Sequence, residues 1–372
     1  MRFARLLLRL SALLLLALIL FAALTPLGRY LVRAGIAEAR ILIARRPISE
    51  LAGDPAVDQA TRAKLGLVLE ARAFARDSLR LDAGESFTTF SQLERDTLVL
   101  VLSAARRDWM ELHRWWFPLV GRLPYKGYFD FAQARRVRAE MRERGYDTYL
   151  RPASAFSTLG WFNDPLLSTT LRADSAALAN TVIHELTHNT FYAAGEAIFN
   201  ESFANFVGAR GAERFFLARG DTVLARRTRD DWEDDKRLGR FYSDLYRTLD
   251  SAFKANPDDE ARRLQIRERL YADARRRLVE EIGPLLKTVP PRVLPRIQLD
   301  NAALLARRIY VTDLDLFDAI YAREGHSLER TMRRVIDLAK SKPDEPFEAV
   351  REWLGPMQLA DTTARSPAEA AP

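Results

Sequence analysis

From Ser175 to Gly208, a chain that is 29% charged overall carries a formal charge at three positions, Glu185, Glu196 and Glu201. Most of the remaining residues are apolar or small, so the stretch is predicted to fold as buried helix. A carboxylate taken into such an interior is costly unless a cation accompanies it. The pattern around Glu185 names one way to supply that cation, because His184 and His188 flank it in the order His-Glu-Leu-Thr-His. Residues four apart on an α-helix are turned by about 40° and displaced by about 6 Å, so both imidazoles leave one face and can grip one ion. Glu185 projects about 100° away from His184 and reaches a water on that ion, not the ion itself.

Local signals bound the helix. Asp174 is a good N-cap, and Gly195 is a natural stop. The third ligand should come from the next element, where Glu196 and Glu201 compete. Glu196 follows the helix-ending glycine, where an acid is favoured by the dipole of the next helix. Glu201 is the sole charge between Ala197 and Gly208, and the burial argument that selects Glu185 therefore selects Glu201. Two neutral imidazoles and one carboxylate leave a divalent ion with net positive charge, which acidifies a bound water. Cysteine is absent, which argues against a four-ligand structural site and for an open one. One zinc ion per chain is expected, on His184, His188 and Glu201. Asn205, one turn after Glu201, and Asn200 are candidates to orient a ligating imidazole. A hydrolase also needs a donor for the developing oxyanion; the candidates are Tyr242, Tyr246, Tyr310 and His326, with Tyr310 preferred.

The segments HELTHNTFY and NESFANFVG, together with WWFPLVGRLPYKGYFD and AFSTLGWFNDPLLS, resemble a bacterial family of predicted zinc aminopeptidases carried at the cell envelope. The arrangement is also similar to the gluzincins, in which a second helix donates the glutamate, although the twelve residues between His188 and Glu201 form a shorter spacer and require a tight turn. The resemblance runs from about Tyr30 to Gly355. It implies an α+β, predominantly helical fold: a zincin-like metallopeptidase core with a small β-sheet beside the active-site helix. It also implies hydrolysis of peptide bonds with Glu185 as general base. In zinc peptidases an edge strand beside that helix pairs with substrate, and Ala155–Trp161 is the candidate, with Ser157, Thr158 and Gly160 lining the cleft. Two other readings fit the same residues, a non-catalytic scaffold and a zinc amidase acting on cell-wall material.

The rest of the chain sets the context. Arg2, Arg5 and Arg9 precede the uncharged run Leu10–Leu24, which reads as a signal peptide or signal anchor. The apolar span to Leu27 is about the length needed to cross a bilayer. Residues 1–29 are therefore expected to hold the protein in the inner membrane with its body in the periplasm, 30–355 to form the enzyme, and 356–372 to be a disordered tail. The 57 basic residues are answered by 50 acidic ones and lie along helices, without a nucleic-acid-reading motif. Tyr30–Leu81 has helical periodicity, Phe87–Phe90 and Thr97–Leu102 read as strands, and the last third reads as charged helices, with one amphipathic helix after Asp300.

Overall fold

A computed structural model describes residues 2–117, 121–153 and 165–355. The architecture is α+β and mostly helical. The N-terminus forms α1 (Arg2–Leu24) and α2 (Pro26–Ile43), which meet at 94°. The predicted continuous span is thus divided: Thr25 caps α2 through its hydroxyl, which accepts from Gly28 N, and Pro26, lacking an N–H, opens the new helix. Gly28 permits the bend, because a Cβ there would lie 2.1 Å from Phe21 O. No single helix among the described residues is long and apolar enough to cross a membrane, although α1 and α2 together pass by length and composition. Along α1, Leu10, Leu13, Leu14 and Leu18 are all more than half exposed.

Three small sheets follow. In the first, β2 (Thr89–Ser91) pairs antiparallel with β1 (Arg46–Pro47) and parallel with β8 (Leu166–Leu167). In the second, β3 (Val99–Arg106) lies between β6 (Lys126–Tyr128) and β7 (Tyr146–Ala153), antiparallel to both. In the third, β4 (Trp115–Phe117) pairs antiparallel with β5 (Gly121–Leu123). The two predicted strands are thus present, shifted by about two residues. The predicted substrate-pairing strand Ala155–Trp161, with Ser157, Thr158 and Gly160, lies outside the described residues, as does the tail.

The helical body comprises α3 (Ile48–Gly53), α4 (Gln59–Ser78), α5 (Phe131–Glu143), α6 (Ser168–Leu171), α7 (Ser175–Thr190), α8 (Ala197–Ala218), α9 (Thr222–Lys254), α10 (Glu260–Arg277), α11 (Asn301–Arg308), α12 (Leu314–Arg323), α13 (Leu328–Ser341) and α14 (Pro346–Leu354). On α8, Phe199, Phe203 and Phe206 repeat at four and three residues and point into the core, packing on Phe317 of α12 at ring distances of 5.7–5.9 Å. The opposite face of the same helix carries Glu201, Asn205 and Gly208 at the same spacing.

Asp318 ties the scaffold behind the site together. Buried on α12, it accepts from Arg210 of α8 at 2.6 Å and from Trp232 Nε1 and Lys236 Nζ of α9 at 2.9 and 2.6 Å. Burial alone would raise its pKa, but these two cations and the hydrogen bonds outweigh that and lower it. A lowered folded pKa means the carboxylate stabilises the protein above its unfolded pKa, and that contribution is lost as pH falls through the folded value. Asp318→Asn should cost about 3–5 kcal/mol, the range for breaking a buried ionic network; urea unfolding of the variant checks it, and a change near zero would remove Asp318 from this role.

The structure departs from the predicted pattern at two places near the site. Helix α7 stops at Thr190 and not at Gly195, because Phe191 is extended and Asn200 holds the following turn: its Nδ2 donates to Ala193 O and its Oδ1 accepts from Ala193 N. Gly195, at φ +86°, completes the turn. The single amphipathic helix predicted after Asp300 is two, α11 and α12, separated by Ile309–Asp313 with Asp313 left-handed at φ +52°.

Candidate metal centre

The site is made where α7 and α8 cross. The two helices run antiparallel and very close, and glycine makes the approach possible. A Cβ at Gly208 would lie 2.3 Å from Asn180 Oδ1, 3.0 Å from Asn180 O and 3.2 Å from His184 Cβ, and one at Gly211 would meet Ile183 Cγ2 at 2.8 Å. With backbones this near, a glutamate on α8 reaches the histidines of α7 directly. Gly208→Ala should push the helices apart. Overpacking of this kind costs about 1–3 kcal/mol, partly offset by alanine's higher helix propensity. A thermal melt checks the destabilisation; unchanged stability would mean the crossing has slack.

His184 Nε2 and His188 Nε2 are 3.2 Å apart. Glu201 Oε2 lies 3.3 Å from His184 Nε2, and its Oε1 3.7 Å from His188 Nε2. A tetrahedral ion with bonds of about 2.0–2.2 Å holds ligand atoms about 3.3–3.5 Å apart, so the three side chains are spaced for one small cation. Among the described residues these three form the metal-compatible cluster. Glu196 does not join it. It sits at the start of α8 as that helix's N-cap residue, as its position after Gly195 suggested.

Electrostatics favour positive charge at this point. Burial opposes ionisation of His184, yet hydrogen bonding to Glu201 and the charges of Glu185 and Glu201, with a further contribution from Asn205, raise its pKa. Burial would also raise Glu201, but its two imidazole partners hold it at about 2. A divalent cation held at the Nε2 atoms would take the place of the protons that this arrangement attracts. The carboxylate of Glu185 has no hydrogen-bond partner among the described residues and is free to handle a proton.

The remaining predicted residues divide. Asn205 Nδ2 donates to Tyr310 O at 2.7 Å, so Asn205 stands between His184 and the α11–α12 break. Asn200 does not face an imidazole, since both ends of its amide bond to Ala193. Tyr310 lies within electrostatic reach of Glu201: burial and that carboxylate raise its pKa, while Arg151 lowers it. The other oxyanion candidates fall elsewhere. Tyr242 is buried beside Phe241, Tyr246 underlies Arg308, and His326 packs on Tyr321.

Two residues at the rim carried no sequence signal of this role. Tyr125 keeps 40% of its surface exposed, but its hydroxyl end is desolvated, and with Glu201 and Tyr192 nearby its pKa is raised. Arg151, from the end of β7, donates to the Tyr310 hydroxyl at 3.2 Å. Tyr125 lies in LPYKGYFD, a turn with flanking aromatics that reads more readily as a packed hydrophobic corner than as a substrate contact. Arg151 is one of many arginines in a strand with no motif around it.

Comparison with known proteins bears on the same region. The family described as "Putative aminopeptidase" matches residues 29–350, which include every residue of the centre. No curated protein and no solved structure matches the chain.

Proposed function

The chain belongs to that aminopeptidase family, and from this membership and the convergence of His184, His188 and Glu201 we propose that it is a zinc-dependent peptidase with a zincin-like core. The observation that carries the metal is the set of distances between the two Nε2 atoms and from each to the nearer Glu201 carboxylate oxygen, 3.2–3.7 Å, which is close to the spacing of ligands around one tetrahedral ion. Zinc so held supplies Lewis-acid chemistry, polarising a carbonyl and acidifying a water.

The protein's own groups do the rest. His184 and His188 offer Nε2, and Glu201 offers a carboxylate oxygen. Asn205 fixes His184 and, through Tyr310 O, the α11–α12 break. Glu185 accepts the proton from the attacking water on its free carboxylate and returns it to the leaving amine. The Tyr310 hydroxyl donates to the oxygen that gains charge. A library of short peptides tests for peptidase activity, with Glu185→Gln as control. Cleavage by wild type and not by the variant supports it. Cleavage of peptidoglycan fragments alone would transfer the same chemistry to a cell-wall amidase. A folded, metal-free, inactive protein would leave a scaffold.

We further propose that the N-terminal segment lies in a bilayer, which the exposed leucine surface of α1 supports, with the catalytic body outside the cytoplasm; arginines lie on both sides of the apolar run (Arg5 and Arg9, then Arg29 and Arg33) and do not by themselves set the orientation. Flotation of the full chain with lipid vesicles, compared with a chain beginning near residue 30, tests it; equal recovery of both in the soluble fraction would contradict it.

A further inference from the structure

Several arginines buried in this chain are paired with acid. Arg210 meets Asp318 and Glu213, Arg263 meets Asp108, and Arg267 meets Asp147. Arg151 is built differently. It is half-buried at the end of β7, its Nη2 donates to Tyr310 Oη at 3.2 Å, and its guanidinium lies 5.7 Å from the centre of the same ring. No carboxylate among the described residues forms an ion pair with it.

The connection to the metal centre is short. Tyr310 O accepts from Asn205, one turn beyond the ligand Glu201 on α8. Two residues before Arg151, on the same face of β7, Tyr149 lies under Arg307 at 5.0 Å. Arg307 donates to Gln298 O and likewise has no acidic partner among the described residues. Beside Tyr310, the end of β7 therefore presents a guanidinium, that of Arg151, which no acid among the described residues neutralises. The carboxylates at the centre, Glu185 and Glu201, are committed to proton transfer and to the metal.

We propose that Arg151 is a specificity residue that receives a carboxylate of the substrate, so that the enzyme prefers peptides presenting a negative charge on the β7 side of the scissile bond. The inference rests on the peptidase reading above. A guanidinium offers several donors in a planar fork, and the hydrogen bond to Tyr310 uses one edge and fixes its plane. The carboxylate has two possible sources, the C-terminus of a short peptide or the side chain of an aspartate or glutamate. In either case the charge-assisted contact adds to binding and appears mainly in KM.

The test uses the full chain loaded with zinc and matched pairs of short peptides, one pair differing by a free or amidated C-terminus and others by Glu or Gln at positions flanking the scissile bond. Wild type should prefer the charged member of one kind of pair by about 10- to 100-fold in kcat/KM, the range for a hydrogen bond to a charged group. Which pair responds identifies the source. In Arg151→Gln the ratio should collapse towards one, and Arg151→Lys should restore part of it. If Arg151→Gln does not fold, the wild-type ratios still decide. Equal cleavage of both members of every pair by wild type would overturn the proposal. So would a loss in Arg151→Gln that is the same for charged and uncharged peptides, since the arginine would then act on the reacting carbonyl or on the fold. Failure of wild type to cleave any peptide would instead overturn the peptidase reading.

Discussion

Replacing Glu185 with Gln should lower kcat on any cleaved peptide by about 10²- to 10⁴-fold, the usual worth of a positioned acid–base group, while the protein stays folded and keeps its metal. Glu185 follows His184 on α7 and so projects from the helix about 100° away from it, beside the ligands and not among them. Its carboxylate has no hydrogen-bond partner among the described residues, so an amide of the same shape removes the base and little else. Elemental analysis alongside steady-state kinetics checks both halves. Loss of metal in this variant would show that Glu185 is a ligand, and unchanged kcat would show that another group moves the proton.

Removing a ligand should act in the opposite order, on metal first and activity as a consequence. His188→Ala leaves His184 and Glu201 as an incomplete pair, and affinity should fall by more than the roughly 10- to 100-fold typical of changes to groups that merely support a ligand. Wild type should show the same loss on acidification. The pKa of His184 is raised by its carboxylate neighbours, so protons compete for its Nε2 at a higher pH than they would for an ordinary histidine. Glu201, held at about 2, stays ionised throughout that range. Metal release should therefore follow protonation of imidazole, with affinity high at neutral pH and falling as pH drops. Titration with a chromogenic chelator across pH follows it. A pH-independent affinity would contradict the assignment of imidazole ligands.

The parts of this centre that depend on chain spacing were legible in the sequence. His184, Glu185 and His188 share one helical turn. Glu201 stands out because a lone charge on an apolar helix needs a reason, and Asp174 caps α7 where its side chain type predicts, accepting from Ala177 N. What was not legible depends on contacts between distant segments. Asn200 looked like a supporting residue because it neighbours Glu201, but its partner is set by how the α7–α8 turn closes on Ala193. The break between α11 and α12 has no proline or glycine to mark it. It arises because Gly239 of α9 packs so close to Val311 that a Cβ would lie 2.5 Å from Val311 O, and because Thr312 N donates to Ser202 Oγ of α8. That break carries Tyr310 to the centre and with it Arg151, which no local pattern could have brought there. Gly208 likewise carried no signal of its role in the sequence: it lies inside α8 and sets the distance between the two helices that bear the candidate ligands.

The most direct test of the centre is zinc content, measured by elemental analysis after dialysis, on wild type, Glu201→Ala and Glu196→Ala. Wild type and Glu196→Ala should each carry about one zinc per chain, and Glu201→Ala little or none. Zinc retained in Glu201→Ala and lost from Glu196→Ala would contradict the third ligand, and a folded wild type that takes up no zinc even when it is supplied would contradict the metal centre itself.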